Sequence, residues 1–170
     1  MIGRPEKSEA SPYFFRYIDR ISDDDVLGVL DRQSQEILAF LGGFSEERSR
    51  HRYAPGKWSV RQVWNHVNDV ERLFLFRALW FARGLAGGLP GFEQDTAAAA
   101  ARADEVAWAR HLEEFREIRR ATVAFFRNLP DEAWSRTGIA SGFPFTVRAC
   151  AYIVAGHASH HAWVLEERYR

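Results

Sequence analysis

The chain has 170 residues, of which 46% are hydrophobic and 14% aromatic, which excludes a disordered or fibrous protein. Lys plus Arg and Asp plus Glu each number 23, and this zero net charge disfavours a nucleic-acid binder or a polybasic membrane surface. The length suits one domain. We therefore predict a single domain over residues 1–170, with an N-terminal extension at 1–21 and a bundle over about 22–170.

Export signals and disulfides are not expected. Cys150 is the one cysteine, so an intrachain disulfide is impossible and a disulfide-stapled secreted domain is excluded. The polar N-terminus lacks the apolar segment of a signal peptide, and no run of about 18 apolar residues is present to span a bilayer. We expect a cytoplasmic protein that binds neither membrane nor nucleic acid.

The first predicted helix begins near Ser22, a good N-cap residue, and carries three aspartates in its first turn at the positive end of the helix dipole. Its apolar stripe then recurs at helical spacing. Gly42-Gly43 ends it. The stripe consists of Val26, Leu30, Gln33, Ile37 and Leu41.

The second helix has the clearest start signal. Ser59 and Gln62 form a capping box, in which each side chain binds the other residue's free backbone N–H. Trp58 and Val63 stand where a hydrophobic staple would form. The pattern continues to about Arg83, and a glycine-rich segment then ends it.

Two further helices are predicted downstream. The third spans about Asp104 to Leu129 and stops at Pro130, and the fourth runs from Thr146 almost to the C-terminus. The connections at 84–103 and 130–145 are long, with short helical pieces expected within Ala97–Ala101 and Pro130–Trp134. No strand alternation is evident. The pattern predicts an all-α fold, a four-helix bundle with two long inter-helix connections.

Three histidines are predicted to point into the bundle. His157 and His161 are four residues apart on the apolar stripe of the fourth helix, so their rings lie on one face about 6 Å apart, a suitable spacing for one metal ion. His66 lies on the inward stripe of the second helix, between Val63 and Val70. A histidine packed in a core is the plainer interpretation of any one of them. Together, however, they favour a metal site.

The physical reason is hydrogen bonding. A buried neutral imidazole needs a partner for both nitrogens, and an unpaired polar group costs about 1–3 kcal/mol. One divalent ion would bind all three rings. With three neutral ligands and an open position, such an ion acts as a Lewis acid and brings the pKa of bound water to about 7.

The other histidines and the cysteine are weaker candidates for metal ligands. His160 lies about 60° around the helix from His157 and could line the pocket edge, bind a carboxylate or face a partner subunit. We expect His51 and His111 on the surface. Cys150 is about 10.5 Å along the helix from His157, too far to share an ion, and is expected in the core.

No general base is evident beside the histidines. Ala158 follows His157 where a zincin would have glutamate, so any base must come from elsewhere. The candidates are Asp69, Glu93, Asp95 and His160, although Asp69 and Glu71 could equally form a solvated or ion-paired group with Arg72. Serine-nucleophile elbows, Walker loops and dinucleotide fingerprints are absent from the sequence.

At these positions the sequence resembles the DinB-like superfamily of bacterial metal-binding proteins, in its DinB-2 subfamily. The resemblance covers about residues 22–170 and depends on the order and spacing of several short pieces. They are Gly56–Arg61 leading into His66, Asp69–Arg72, Phe76–Leu79, Leu89–Asp95, Ala155–His157 and His160–His161.

The resemblance implies an up-down-down-up type of four-helix bundle, usually a homodimer. It also implies one divalent metal ion per chain, nickel or zinc, bound by His66, His157 and His161. Asn65 and Asn68 stand where many relatives carry smaller or apolar residues, so the pocket lining is expected to differ. Some relatives transfer low-molecular-weight thiols, and many are labelled metal-dependent hydrolases.

Three functions remain open on the sequence. The first is a metal-dependent enzyme acting on a small-molecule substrate, either a hydrolase or a low-molecular-weight thiol S-transferase. An Arg-lined pocket beside the metal, with Arg72, Arg77 or Arg148, would favour an anionic thiol. The alternatives are a non-catalytic metal-binding stress-response module and a structural helical dimer without metal.

Overall fold

A computed structural model describes residues 2–169, which form six α-helices and one β-hairpin. The helices are α1 (Phe15–Ile18), α2 (Val26–Leu41), α3 (Val60–Ala82), α4 (Gln94–Ala101), α5 (Trp108–Arg127) and α6 (Val147–Arg168). The strands are β1 (Thr137–Ala140) and β2 (Phe143–Thr146). Single 3₁₀ turns occur at Lys7–Glu9, Pro12–Phe14, Arg48–Arg50, Ala103–Glu105 and Asp131–Ala133.

The four long helices form the predicted four-helix bundle. Helix α3 packs against α5 and α6, and α2 packs against the same two helices, so α2 and α3 occupy opposite corners. Helices α3 and α5 are adjacent in the bundle, whereas α2 and α3, although consecutive in the chain, are diagonal. The connection between them, residues 42–59, is as long as the two that the sequence identifies, because it must cross from one corner to the other.

Local capping explains where the helices begin. The Ser59–Gln62 capping box is present at α3, and the hydroxyl of Thr146 accepts from the backbone N–H of Ala149 at α6, as predicted. Helix α2 starts later than Ser22, because Asp25 is the residue that accepts from Gly28. Helix α5 also starts later than Asp104, because Val106 is extended and separates a 3₁₀ turn from the helix.

The β-hairpin was not predicted from the sequence. Its four-residue strands pair antiparallel, from Thr137 opposite Thr146 to Ala140 opposite Phe143. Ser141 and Gly142 form the turn, with φ of 52° and 80°, values that suit a tight hairpin turn. Strands this short show no readable alternation. The backbone of Leu89 pairs with the hairpin, donating to Ile139 at 2.9 Å and accepting from Ser141 at 3.0 Å.

The N-terminal segment, for which the sequence predicts no element, packs directly on α6. A Cβ atom added at Gly156 would lie 2.0 Å from the carbonyl oxygen of Tyr17. Only a glycine at this position lets the two backbones approach so closely. Helix α1 therefore lies beside the turn of α6 that carries His157.

A buried polar layer separates two apolar clusters of the core. Arg119 of α5 donates from Nε and Nη2 to the two carboxylate oxygens of Glu71 of α3, both at 2.8 Å. Gln33 of α2 accepts from Arg119 at 3.1 Å and donates to the carbonyl of Ala155 at 3.0 Å. All four long helices are thus joined at the level of the histidines. Within residues 2–169, no helix is both long and apolar enough to cross a bilayer.

Candidate metal centre

The structure brings His66, His157 and His161 together between α3 and α6. Ring nitrogens of the three residues all lie within 4.8 Å of one another. His66 and His157 are buried, whereas His161 is partly exposed. Nε2 of His157 lies 3.1 Å from Nε2 of His66 and 3.2 Å from Nε2 of His161.

These spacings match those of ligands to one ion. Two nitrogens that each lie about 2.1 Å from an ion, at a right angle or a tetrahedral angle, are roughly 3.0–3.4 Å apart. Protons satisfy the cluster less well, since a neutral ring nitrogen either donates or accepts one hydrogen bond. Nε2 of His157 has two close nitrogen neighbours, so only one of the two contacts can be an ordinary hydrogen bond.

The electrostatic environment keeps the three rings neutral at pH 7. Burial lowers the pKa of His66 to about 4, while the carboxylate of Asp95 opposes this effect. Burial, together with the neighbouring histidines, lowers the pKa values of His157 and His161 well below their usual range. Neutral imidazole is the form that binds a metal ion, so the cluster is ready to bind at neutral pH.

An open cleft of about 360 Å³ reaches two of the three histidines. His66 and His157 line it, and aromatic residues from the N-terminal segment and the α3–α4 connection form much of its wall. The exposed carboxylates of Glu93 and Asp95 lie on its rim. The volume falls within the range of small-molecule sites.

The general-base candidates occupy different surroundings. Asp95 lies on the cleft and acts electrostatically on His66. His160 lies beside the cluster, with its ring 5.0 Å from the ring of His161, and burial and two nearby arginines lower its pKa. Asp69 is directed elsewhere. It accepts from Asn65 at 2.9 Å and pairs with Arg72 at 3.7 Å.

The two asparagines beside His66 also have partners away from the cleft. Asn65 binds Asp69, and Asn68 donates to the carbonyl of His111 and to Glu114. The expected grouping of Asp69 with Glu71 and Arg72 holds only in part. Asp69 pairs with Arg72, whereas Glu71 is buried against Arg119 on α5.

One of the two histidines expected at the surface is buried. His111 is only 1% exposed, and its Nε2 lies 3.0 Å from the carbonyl oxygen of Ala103. It stands three residues after the buried Trp108, on the same face of α5, which explains the error. His51 is exposed, as predicted. Cys150 is buried in the core, also as predicted, and burial raises the pKa of its thiol to about 12.

Only one of the three candidate arginines reaches the cleft. Arg77 lines it, whereas Arg72 pairs with Glu114 and Arg148 pairs with Glu9. Other lining residues, Phe14, Tyr17 and Ser141, were not predicted from the sequence. They come from the N-terminal segment and from the hairpin turn. The aromatic residues of the N-terminal extension are the signal that could have indicated them.

Comparison with known proteins agrees with this geometry. Residues 30–165 match the family model of the DinB superfamily. No curated protein sequence matches the chain. Among solved structures the fold is similar to that of YfiT from Bacillus subtilis, described as a probable metal-dependent hydrolase with an unusual four-helix bundle topology. The TM-score is 0.72 at 17% identity, over 96% of this chain and 89% of YfiT. Since the family match covers most of its length, this chain belongs to the DinB superfamily.

Proposed function

We propose that this protein is a metal-dependent hydrolase of a small-molecule substrate, with one divalent ion bound by His66, His157 and His161. The observation that supports it most is that two of these histidines line an open cleft. A cluster sealed on all sides would instead favour a structural metal. The description of YfiT as a probable metal-dependent hydrolase supports the same reaction class.

A divalent ion at this position would supply Lewis acidity and would lower the pKa of a bound water to about 7. The three neutral imidazoles leave its positive charge uncompensated, which favours that acidity. Nickel and zinc both accept imidazole ligands, and we propose one of these two as the native ion. The residues of the chain then have to bind the substrate and accept a proton.

We assign the role of general base to Asp95. Its carboxylate lies on the cleft and is close enough to His66 to oppose the effect of burial on the pKa of that ring. Glu93 lies on the same rim, but only Asp95 contributes to the pKa of His66. Asp69 is directed to Asn65 and Arg72, so it is a poorer candidate.

The alternatives are less well supported. A thiol S-transferase would need an external thiol, because Cys150 is buried in the core and its pKa is raised to about 12. A non-catalytic metal-binding module has no need of a cleft beside the ion. The homodimer that the family resemblance implies stays a prediction, and sedimentation velocity would test it.

The proposal can be tested by combining metal analysis with hydrolysis assays. The protein purified without chelator should contain about one nickel or zinc ion per chain. It should cleave at least one member of a panel of 4-nitrophenyl esters, amides and phosphodiesters, with a loss of about a hundredfold or more after chelation and recovery on adding metal. His161→Ala should lose both the ion and the hydrolysis, whereas His51→Ala should retain both.

The base assignment needs a matched pair of variants. Asp95→Asn should lower kcat by roughly a hundred- to a thousandfold while metal content is unchanged. Glu93→Gln removes a carboxylate from the same rim and should change kcat less than about threefold. Equal losses in the two variants would contradict the role of Asp95. If the protein binds neither added nickel nor added zinc, the hydrolase proposal itself is wrong.

A further inference from the structure

Arg77 of α3 is a buried cation without a carboxylate partner. The residue is 2% exposed and lines the cleft that holds His66 and His157. Its two hydrogen bonds both leave from Nη2, to the carbonyl of Pro90 and to Oγ of Ser141, each at 3.1 Å. Within the described range 2–169, no Asp or Glu forms an ion pair with it.

The remaining donors of Arg77 are poorly satisfied. Nε is buried and has no hydrogen-bond partner. The guanidinium lies 5.0 Å from the ring centroid of Phe74 and 5.9 Å from that of Phe145, and these ring faces supply only part of what water would supply. Burial lowers the pKa of the group, which reflects the cost of a desolvated charge.

Other buried arginines in the protein have acidic partners. Arg119 is fully buried and binds both oxygens of Glu71. Arg61 is fully buried and forms an ion pair with Glu46. Arg77 differs because its open side faces a cleft rather than a carboxylate of the protein. A desolvated charge that faces a cleft is a candidate for binding a ligand of opposite charge.

The position of Arg77 also defines the length of the ligand. Eleven residues separate it from His66, which is three turns of helix and about 16 Å along the same face of α3. The side chain of Arg77 leans towards the N-terminus of α3, on the side of His66. Val70 and Phe74 line the cleft between them, and Phe14 and Phe92 also line it.

We infer that Arg77 binds the carboxylate of an anionic substrate whose apolar middle lies along Val70 and Phe74 and whose reactive group meets the histidine cluster. A carboxylate that replaces the Ser141 hydroxyl at Nη2 would accept two parallel hydrogen bonds, from Nη2 and from Nε, and would satisfy Nε. The inference rests on the proposed function for the identity of the reacting end. The anion site itself does not depend on the metal.

A pair of probes that differ only in charge tests the anion site. 4-Phenylbutanoate and its neutral amide, 4-phenylbutanamide, have the same apolar body, and their dissociation constants can be measured by calorimetry on metal-free and metal-loaded protein. The carboxylate should bind at least about tenfold more tightly in both forms. Equal affinities, or no detectable binding of either probe below about 10 mM, would overturn the inference.

Two variants separate anion binding from a structural role of Arg77. Arg77→Met should abolish the preference for the carboxylate. Ser141→Ala removes one of the hydrogen bonds that Arg77 makes to its surroundings but leaves the charge, so the preference should remain. If the preference for the carboxylate probe survives in Arg77→Met, or disappears in Ser141→Ala, the guanidinium has only a structural role in binding the segments of Pro90 and Ser141.

If Arg77→Met fails to fold, the wild-type protein still provides a test. The ¹⁵N resonance of the Arg77 Nε–H group, assigned by comparison with Arg77→Lys, should shift on titration with the carboxylate and not with the amide. An unperturbed resonance would overturn the assignment. Metal content and ester hydrolysis are measured separately, so a chain that binds no metal but prefers the carboxylate would reject the hydrolase and retain the anion site.

Discussion

Nε2 of His157 lies 3.1 Å from Nε2 of His66, across the contact between α6 and α3. The two residues are ninety-one positions apart in the chain, and His161 completes the group one turn further along α6. Three neutral nitrogens this close cannot all form hydrogen bonds with one another. An ion that binds the native state should therefore stabilise the fold.

Thermal unfolding with and without metal measures that stabilisation. With free nickel or zinc at 100 times its dissociation constant, the free energy of unfolding should rise by about 2.7 kcal/mol. His161→Ala should unfold at the same temperature with metal and with chelator. His51→Ala changes an exposed histidine outside the cluster and should respond like the wild type. An equal loss of response in both variants would mean that the ligands are elsewhere.

The contact of α1 with α6 predicts a strong effect of one added methyl group. Gly156→Ala should destabilise the protein by about 1–3 kcal/mol or more, because the new Cβ would meet the carbonyl oxygen of Tyr17 at 2.0 Å. Gly88→Ala is a matched control, since its nearest neighbour atom would be 3.8 Å away. Urea unfolding measures both changes.

Protease sensitivity would then locate the damage in Gly156→Ala. Cleavage within residues 12–18 should become faster than in the wild type if α1 detaches from α6. Unchanged stability and unchanged cleavage would contradict the close approach of the two backbones.

The buried ion pair of Glu71 and Arg119 should be costly to break from one side. Arg119→Met leaves a buried carboxylate unpaired and should lower the free energy of unfolding by about 3–5 kcal/mol. The double variant with Glu71→Leu removes both charges and should recover a large part of that loss. Arg72→Ala breaks an exposed pair and should cost at most about 1 kcal/mol. Urea unfolding of the four proteins provides the comparison.

Glu9 predicts a pH-dependent contribution to stability. Burial would raise the pKa of this carboxyl, but hydrogen bonds from Arg148, from the backbone N–H of Glu6 and from Thr146 outweigh it and lower the pKa. A carboxyl with a lowered native pKa stabilises the fold above its unfolded pKa of about 4.3, and the contribution is lost as the pH falls through the native pKa. Glu9→Gln should therefore cost about 1 kcal/mol at pH 7.

The same comparison at acid pH checks the sign. The stability difference between Glu9→Gln and the wild type should shrink as the pH falls below about 4, because the wild-type carboxyl then becomes protonated. Glu6→Gln, at a neighbouring exposed position, should show no comparable difference at either pH. A difference for Glu9→Gln that grows at low pH would be inconsistent with the described contacts.

What the sequence determined by itself rests on interactions between residues close in the chain. The capping box of Ser59 and the cap at Thr146 involve residues three positions apart, so both helix starts were predictable. The spacing of His157 and His161 and the inward position of His66 follow from helical periodicity in the same way. These local patterns were enough to predict a four-helix bundle and three inward histidines.

Which residues share the cleft depends on how the helices, the hairpin and the N-terminal segment pack together. Arg77 and Arg72 lie on one helix and look alike in the sequence, yet one lines the cleft and the other meets Glu114 on α5. Asp95 reaches the site from the first turn of α4, and Tyr17 reaches it from the N-terminal segment. Their positions depend on contacts between segments distant in the chain, such as Tyr17 against Gly156, and periodicity and capping carry no information about such contacts.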